Sequence, residues 1–410
     1  MGRAFDVVLY GATGYTGKLI AAYLNETYQS SVRWAIAGRT QAKVQAVLDT
    51  LDGASAAGVQ ALAVALDDDA AVEALVGRTR VIIAAAGPFC RHGEPLVRAC
   101  AKLGTDYVDI TGEATWVKDM GDKYGRDARA SGALIVPMCG FDSVPSDITA
   151  FYAASQIREA TGRPAVSVNS VLTMKGGMSG GTLHTVMANM EDMKDMKAAS
   201  DLHLLTPESA DRPTIERDYL LPRHIGALRS YMCPFFLSVS NTRVVRATAG
   251  HLQLSEGYVR FGAKFSYQEG IRARSLALAL TTAFFYVLSM ALAFIRPTRY
   301  LLRRFVLPPP GSGPSPKALA AGSCRVHVVA KNDRGVIRTY RFLGQEPYLE
   351  TARLVSECAM VLVESKKKTP AVVSLGGGGF YTPAAAFGDR LIERITVRGV
   401  ILQPLDPIDS

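Results

Sequence analysis

What the chain lacks narrows its chemistry first. Its six cysteines (Cys90, Cys100, Cys139, Cys233, Cys324, Cys358) lie far apart, with no CxxC pair and no histidine at ligand spacing. Neither a zinc site nor a disulfide framework is expected, and the thiols read as reduced and mostly buried. No tyrosine is followed by lysine four residues later, which removes the acid pair of short-chain dehydrogenases. There is no Gly-x-Ser-x-Gly elbow and no His-Glu-x-x-His pair, and the run Gly376–Gly379 lacks the Lys-Ser/Thr of a Walker loop. Lone histidines read as structural or surface groups, with His92 and His184 kept as candidates, and no metal site is expected. A strand pattern begins at Phe5, which leaves no room for a signal peptide; Asp6 stands where myristoylation wants Ser or Thr.

The 46 Lys and Arg against 37 Asp and Glu give a net charge of +9. The basic residues are not interleaved with aromatics as single-strand nucleic-acid binders require, so no nucleic-acid partner is expected. Many gather around residues 272–304, beside an apolar run. At 410 residues, 48% hydrophobic and 20% charged, the chain is a folded protein with room for two or three domains.

Over residues 1–150 strand and helix patterns alternate. Strands are predicted over 5–10, 33–37, 60–66, 80–85, 107–110 and 133–138, with helices over 18–24, 41–51, 70–76, 94–103 and 116–131. That rhythm implies a doubly wound parallel sheet, an α/β Rossmann fold, with strands at 81–85 and 134–136 apolar throughout because helices cover both faces. Beyond 150 the rhythm changes. A half-exposed strand at 166–174, a Met-rich helix at 183–200 and a hairpin of 325–329 with 337–342 indicate a second, α+β domain formed by 151–270 and 318–410, serving substrate binding or dimerisation. Between its halves, residues 271–317 hold Ser275 to Ile295, 21 residues without a charge, then the linker Pro308 to Pro314. A helix of that length matches a hydrocarbon core, and Arg272, Arg274, Arg296, Arg299, Arg303 and Arg304 flank it. A single crossing would part the two domains, so an in-plane or hairpin insertion is preferred, with a buried core helix as the alternative.

The strongest motif is Gly11-Ala12-Thr13-Gly14-Tyr15-Thr16-Gly17, set between the first strand and the first helix. Glycines there let the backbone approach a pyrophosphate, and the helix N-terminus offers N–H groups and a partial positive charge. The second strand ends Ala37-Gly38-Arg39-Thr40, with no acid for the ribose hydroxyls of NAD. Arg39 is a planar fork suited to a phosphate and Thr40 a hydroxyl beside it, so NADP is the expected cofactor. Gly87 and Pro88, after the fourth strand, are expected to shape a turn near the nicotinamide end. Tyr107, Asp109 and Glu113 (in DYVDITGE) face the same sheet edge and are the candidate catalytic groups. A third cluster, Cys139-Gly140-Phe141-Asp142-Ser143-Val144-Pro145-Ser146-Asp147, falls at the expected domain junction, with Asp147 either there for ligand or as a helix cap near Ile148.

Read in order, GATGYTG, AGR, AAAGPF, DYVDITGE and CGFDSVPSD resemble the saccharopine dehydrogenase-like oxidoreductases, and most closely the trans-acting enoyl reductases of lipid biosynthesis. The resemblance covers most of the chain and is firmest over 5–147; it takes in the apolar segment and the stretch at 382–389. It implies an NADP-binding domain, a second α+β domain, and association with a membrane or lipid droplet on the cytosolic side. The fingerprint departs from saccharopine reductases proper, so an apolar, lipid-linked substrate is expected. A C=C or C=N bond is the expected target, with a saccharopine-type amino-acid oxidoreductase and a catalytically idle membrane protein as alternatives. A homodimer stays open.

Overall fold

A computed structural model describes residues 2–29, 31–177, 197–213, 218–295, 297–298, 311–365 and 370–405. The first sheet is built from β1 (Phe5–Tyr10), β2 (Trp34–Gly38), β3 (Gln60–Ala63), β4 (Thr79–Ala84), β5 (Asp106–Asp109) and β6 (Leu134–Val136). Helices α1 (Tyr15–Tyr28), α2 (Gln41–Leu48), α3 (Asp69–Gly77), α4 (Phe89–His92), α5 (Glu94–Leu103) and α6 (Ala114–Ser131) connect them. All its pairings are parallel, in the order β13-β6-β5-β4-β1-β2-β3, where β13 is the late, short strand Gly379–Phe380. Successive side chains of β1 part to opposite faces: Val7 and Leu9 enter one apolar cluster, Phe5, Val8 and Tyr10 the other. Helices cover both, which is why the strands read as unbroken apolar runs.

After α7 (Val144–Thr161) comes a second sheet: β7 (Ala165–Lys175), β8 (Arg223–Ile225), β9 (Ser230–Cys233), β10 (Phe261–Ala273), β11 (Ser323–Asn332), β12 (Ile337–Gly344) and β14 (Ile401–Pro404). Its order is β14-β12-β11-β7-β10-β9-β8, antiparallel except for β7 and β10. The long helix α8 (Ser238–Glu256) makes the crossover that this parallel pair requires. The expected helix at 183–200, and His184 with it, lies largely outside the described residues.

The expected domain boundaries need one correction. Residues 318–410 do not all belong to the second domain: β13 (Gly379–Phe380) pairs with β6 in the first sheet, and α10 (Pro347–Ser365) lies on that sheet's face, sharing a core with Val7, Leu9, Val81, Ile83 and Val108. Its residues Leu354, Val355, Cys358 and Leu362 are buried at 0–2% exposure, a depth that only a sheet face beneath them explains. Helix α11 (Pro383–Val397) packs beside α10. Glu357 on α10, fully buried, accepts hydrogen bonds from Tyr23 (2.7 Å) and Tyr28 (2.6 Å) of α1 and from Arg394 of α11 (2.8 Å), so one carboxylate ties three helices.

Helix α9 (Leu276–Phe294) is the expected apolar segment, but the alternative of a core helix does not hold. Among its described side chains only Ala279 and Ala283 are buried, on the side of β9 and β10; Leu276, Leu278, Leu280, Phe284 and Phe285 stand 51–63% exposed. Among the described residues, no helix is long and apolar enough to cross a membrane.

Asp147, on the first turn of α7, is not a cap. Ser143 holds the N-cap position, and the fully buried Asp147 accepts from Thr248 Oγ1 (2.5 Å) and from the Ala384 N–H (2.7 Å), joining α7, α8 and α11. Burial pushes its carboxyl up to about 7. A folded-state value above the unfolded one means the native protein holds the proton more tightly, so this contribution to stability is present below about pH 4 and is lost as pH rises toward 7. Asp147→Asn removes the titration; the drop in Tm between pH 4 and 7, followed by calorimetry, should shrink by about 2–4 °C.

Candidate functional site

The glycine turn at the end of β1 has the shape a diphosphate requires. Gly11 has φ +91°, and a Cβ there would stand 2.8 Å from the Ala85 carbonyl carbon; a Cβ on Gly17 would run into the Gly11 carbonyl. Helix α1 therefore starts flush against the tip of β1, with Gly14 at its N-cap and no side chain capping its first N–H groups. Thr13, Tyr15 and Thr16 ring this open end, half-buried. Tyr15 is held from far along the chain: its hydroxyl donates to the Pro314 carbonyl (2.8 Å), and its ring meets Tyr348 edge-on at 5.3 Å.

Arg39 and Thr40 emerge exposed from the end of β2, and the Thr40 hydroxyl caps nothing in α2. Below Arg39, Tyr10 donates to the Val64 carbonyl (2.8 Å), closing the floor between β1 and β3. These residues fit NADP: a turn that only glycine can make, an uncapped helix end and a free guanidinium where the second phosphate of the cofactor would sit. Gly87 lies exposed beside them, and the Gly87-Pro88 peptide is cis.

Tyr107, Asp109 and Glu113 are brought together at the expected sheet edge but turned inward, at 0–1% exposure. Asp109 accepts from the Tyr107 hydroxyl (2.9 Å) and from the N–H groups of Thr111 (3.0 Å) and Met138 (2.8 Å). Burial raises its carboxyl to about 7 despite those bonds, and drives the Tyr107 hydroxyl far above its ordinary value. Glu113 spends both oxygens on the N–H groups of Phe89 and Cys90, each at 2.8 Å, and so anchors the turn after Pro88. Within the fold these polar groups are engaged by the protein itself: both Glu113 oxygens accept from backbone N–H groups, and Asp109 accepts from two N–H groups and the Tyr107 hydroxyl. His92 is exposed at the end of α4.

Groups at the domain junction carry more chemical freedom. A crevice of about 10 Å³, room for roughly one water, opens between the 139–147 cluster and the second sheet. Its polar lining is Asp142 and Ser146 from the first domain and Ser170, Asn241 and Glu269 from the second, among Phe141, Leu172, Phe235, Leu237 and Val326. Glu269 accepts from Asn241 Nδ2 (2.8 Å) and from the Tyr267 hydroxyl (2.7 Å); Asn241 Oδ1 accepts from Ser143 (3.1 Å). Of this lining, the sequence signals only the 139–147 cluster. Ser170, Asn241 and Glu269 carried no local signal, since three separate elements bring them there. Arg39→Ala should raise the NADPH dissociation constant roughly 10–100-fold and leave that for NADH unchanged, measured by cofactor fluorescence; an unchanged NADPH value removes the phosphate assignment.

Comparison with known proteins accords with this geometry. Residues 7–136 match the saccharopine dehydrogenase NADP binding domain. A Mycobacterium tuberculosis protein described as a trans-acting enoyl reductase is 33% identical over 98% of this chain and 97% of its own. The trans-acting enoyl reductase of Mycobacterium leprae is 30% identical, again over 98% and 97%. Apo saccharopine dehydrogenase (L-Glu forming) from Saccharomyces cerevisiae superposes with a TM-score of 0.52 over 98% of this chain and all of that one, at 12% identity, a likeness of fold. Identity at this level along nearly the whole of both chains makes the protein a member of the trans-acting enoyl reductase family, an NADP-dependent oxidoreductase.

Proposed function

We propose that this oxidoreductase reduces a carbon–carbon double bond in an acyl chain, on a lipid or lipid-linked intermediate that it meets at a membrane or lipid-droplet surface facing the cytosol. The observation that carries the reading is α9. Leucine and phenylalanine face outward around a helix whose buried stripe is alanine. A soluble surface rarely leaves such a continuous apolar patch bare. Its polar groups are also spent within the helix: Thr281 and Thr282 donate to the carbonyls of Ala277 (2.9 Å) and Leu278 (2.8 Å), and Ser289 to that of Tyr286 (2.8 Å). Hydroxyls satisfied in this way cost little in hydrocarbon. Exposed Leu220 and Leu221 add to the apolar surface, and the exposed Arg274 precedes the helix, suited to anionic headgroups.

The junction crevice supports an uncharged acceptor. Among the described residues no lysine or arginine lines it, whereas a saccharopine-type amino-acid substrate brings carboxylates that need cations. Bound NADPH supplies hydride. The chain's own part is to hold the diphosphate on Gly11–Gly17 and the remaining phosphate on Arg39.

Purified protein with NADPH and an enoyl lipid should show cofactor oxidation matched by saturated product; binding without turnover would instead favour the idle reading, and turnover of saccharopine alone the amino-acid one. Replacing Leu280 and Phe284 with glutamate should lower partition onto phosphatidylglycerol vesicles at least ~10-fold, as two side chains each contributing ~2 kcal/mol on burial require, with NADPH affinity unchanged. Equal partition of variant and wild type would sink the surface reading.

A further inference from the structure

The second sheet has two unlike faces. Val326 and Val328 of β11 and Tyr340 and Phe342 of β12 share a core with Ile148 and Phe151 of α7. Side chains between them turn the other way, where Val171 and Val329 join a separate small cluster with Leu228 and Met232. Arg325, His327 and Arg341 belong to this outer face. Arg341 stands directly opposite His327 across the β11–β12 pair, and Arg325 lies two residues along β11 on the same side. Arg272 of β10 reaches the same row: Ile271 before it is in register with Leu172 of β7, and the next residue of β7, Thr173, is in register with Arg325.

Among the described residues no carboxylate pairs with any of these four side chains. Arg272 donates from Nη2 to the Leu228 carbonyl (3.2 Å), and Arg341 has Gln403 of β14 beside it. His327 is 3% exposed and its Nδ1 is buried without a hydrogen-bond partner, as is Nε of Arg272. Burial, with the guanidiniums of Arg272, Arg325 and Arg341 around it, holds the His327 imidazole down at about 4, so the ring is neutral and carries one N–H. Burial, then Arg274 and Arg325, lowers Arg272 as well. Cations gathered without a counter-charge, around donors buried without acceptors, destabilise a fold twice over. An anion with several acceptor oxygens removes both costs. Arg325 is exposed and Arg341 half-buried, so the cluster opens to solvent on their side.

We propose that Arg272, Arg325, His327 and Arg341 bind a phosphate group, the three guanidiniums taking its charge and the imidazole donating to one oxygen. Three forked cations and a ring N–H offer more donors than the two oxygens of a carboxylate accept, whereas a phosphate monoester brings three terminal oxygens and two charges. The site lies on the opposite sheet face from the junction crevice, whose lining includes Ser170, Leu172 and Val326, so it does not rest on the enoyl reading. Arg272 comes three residues before Ser275, the N-cap of α9, which puts the bound phosphate on the strand that leads into the exposed apolar helix. A phosphomonoester headgroup and free phosphate share this chemistry.

The test uses the full chain with NADPH at saturation, so that the glycine turn and Arg39 are occupied. Calorimetric titration with inorganic phosphate at constant ionic strength should show one site per chain with a Kd of about 1 mM or tighter, and chloride no saturable heat. Arg325→Gln and Arg341→Gln should each weaken phosphate about 10-fold or more. Their NADPH affinity should match wild type, and their Tm without phosphate should be equal or higher, since repulsion is relieved. In ¹⁵N-histidine spectra the resonance lost in His327→Gln should move when phosphate is added to wild type. No saturable phosphate binding, affinity unchanged in both variants, or an unmoved His327 resonance overturns the site. Vesicles identify the source. Tighter binding to dioleoylphosphatidic acid than to dioleoylphosphatidylglycerol at matched surface charge, lost in Arg325→Gln, assigns the phosphate to a headgroup; equal binding to the two, with the phosphate titration as expected, assigns it to the free ion. Failure to bind either vesicle overturns the surface reading and leaves the phosphate titration as the measure of this one.

Discussion

Everything in the first domain follows from how closely α1 approaches the end of β1. Were residue 11 or 17 to carry a side chain, the helix would have to lift away from the strand, and its first N–H groups would leave the sheet edge. The cofactor cradle is therefore a steric consequence of two missing methyl groups before it is an electrostatic one. Arg39 adds selectivity at the next strand, but only because the turn has already fixed where the diphosphate lies.

The supporting shell deepens this arrangement. Glu113 fixes the turn after Pro88, Asp109 binds the starts of two adjacent loops, and Asp147 links three helices behind the junction. Such carboxylates tolerate burial because backbone donors surround them.

Much of the first sheet was legible in the sequence, because β1 to β6 are signalled by local apolar runs and by glycine turns whose meaning is local. The glycine turn and Arg39 were legible for the same reason. Inward or outward orientation was not: DYVDITGE places polar groups at a sheet edge, but nothing in their spacing reveals that Glu113 reaches back to Phe89 and Cys90. Nor does a two-residue strand such as β13 carry any periodicity. Its pairing with β6 depends on a chain reversal over more than two hundred residues, and the apolar face of α10 reads equally well against either sheet. The exposure of α9 follows the same logic, since hydropathy states what a helix prefers and not what covers it.

The late arrival of β13 and α10 bears on how the molecule is made. A ribosome that has released the first 150 residues has produced every strand of the nucleotide domain but its edge neighbour, and all of one sheet face but the helix that should roof it. Val7, Leu9, Val81 and Ile83 then lack the cover of α10, with only α1 against that face, until translation passes residue 365. Cutting the protein at its apparent domain boundary would make that transient condition permanent.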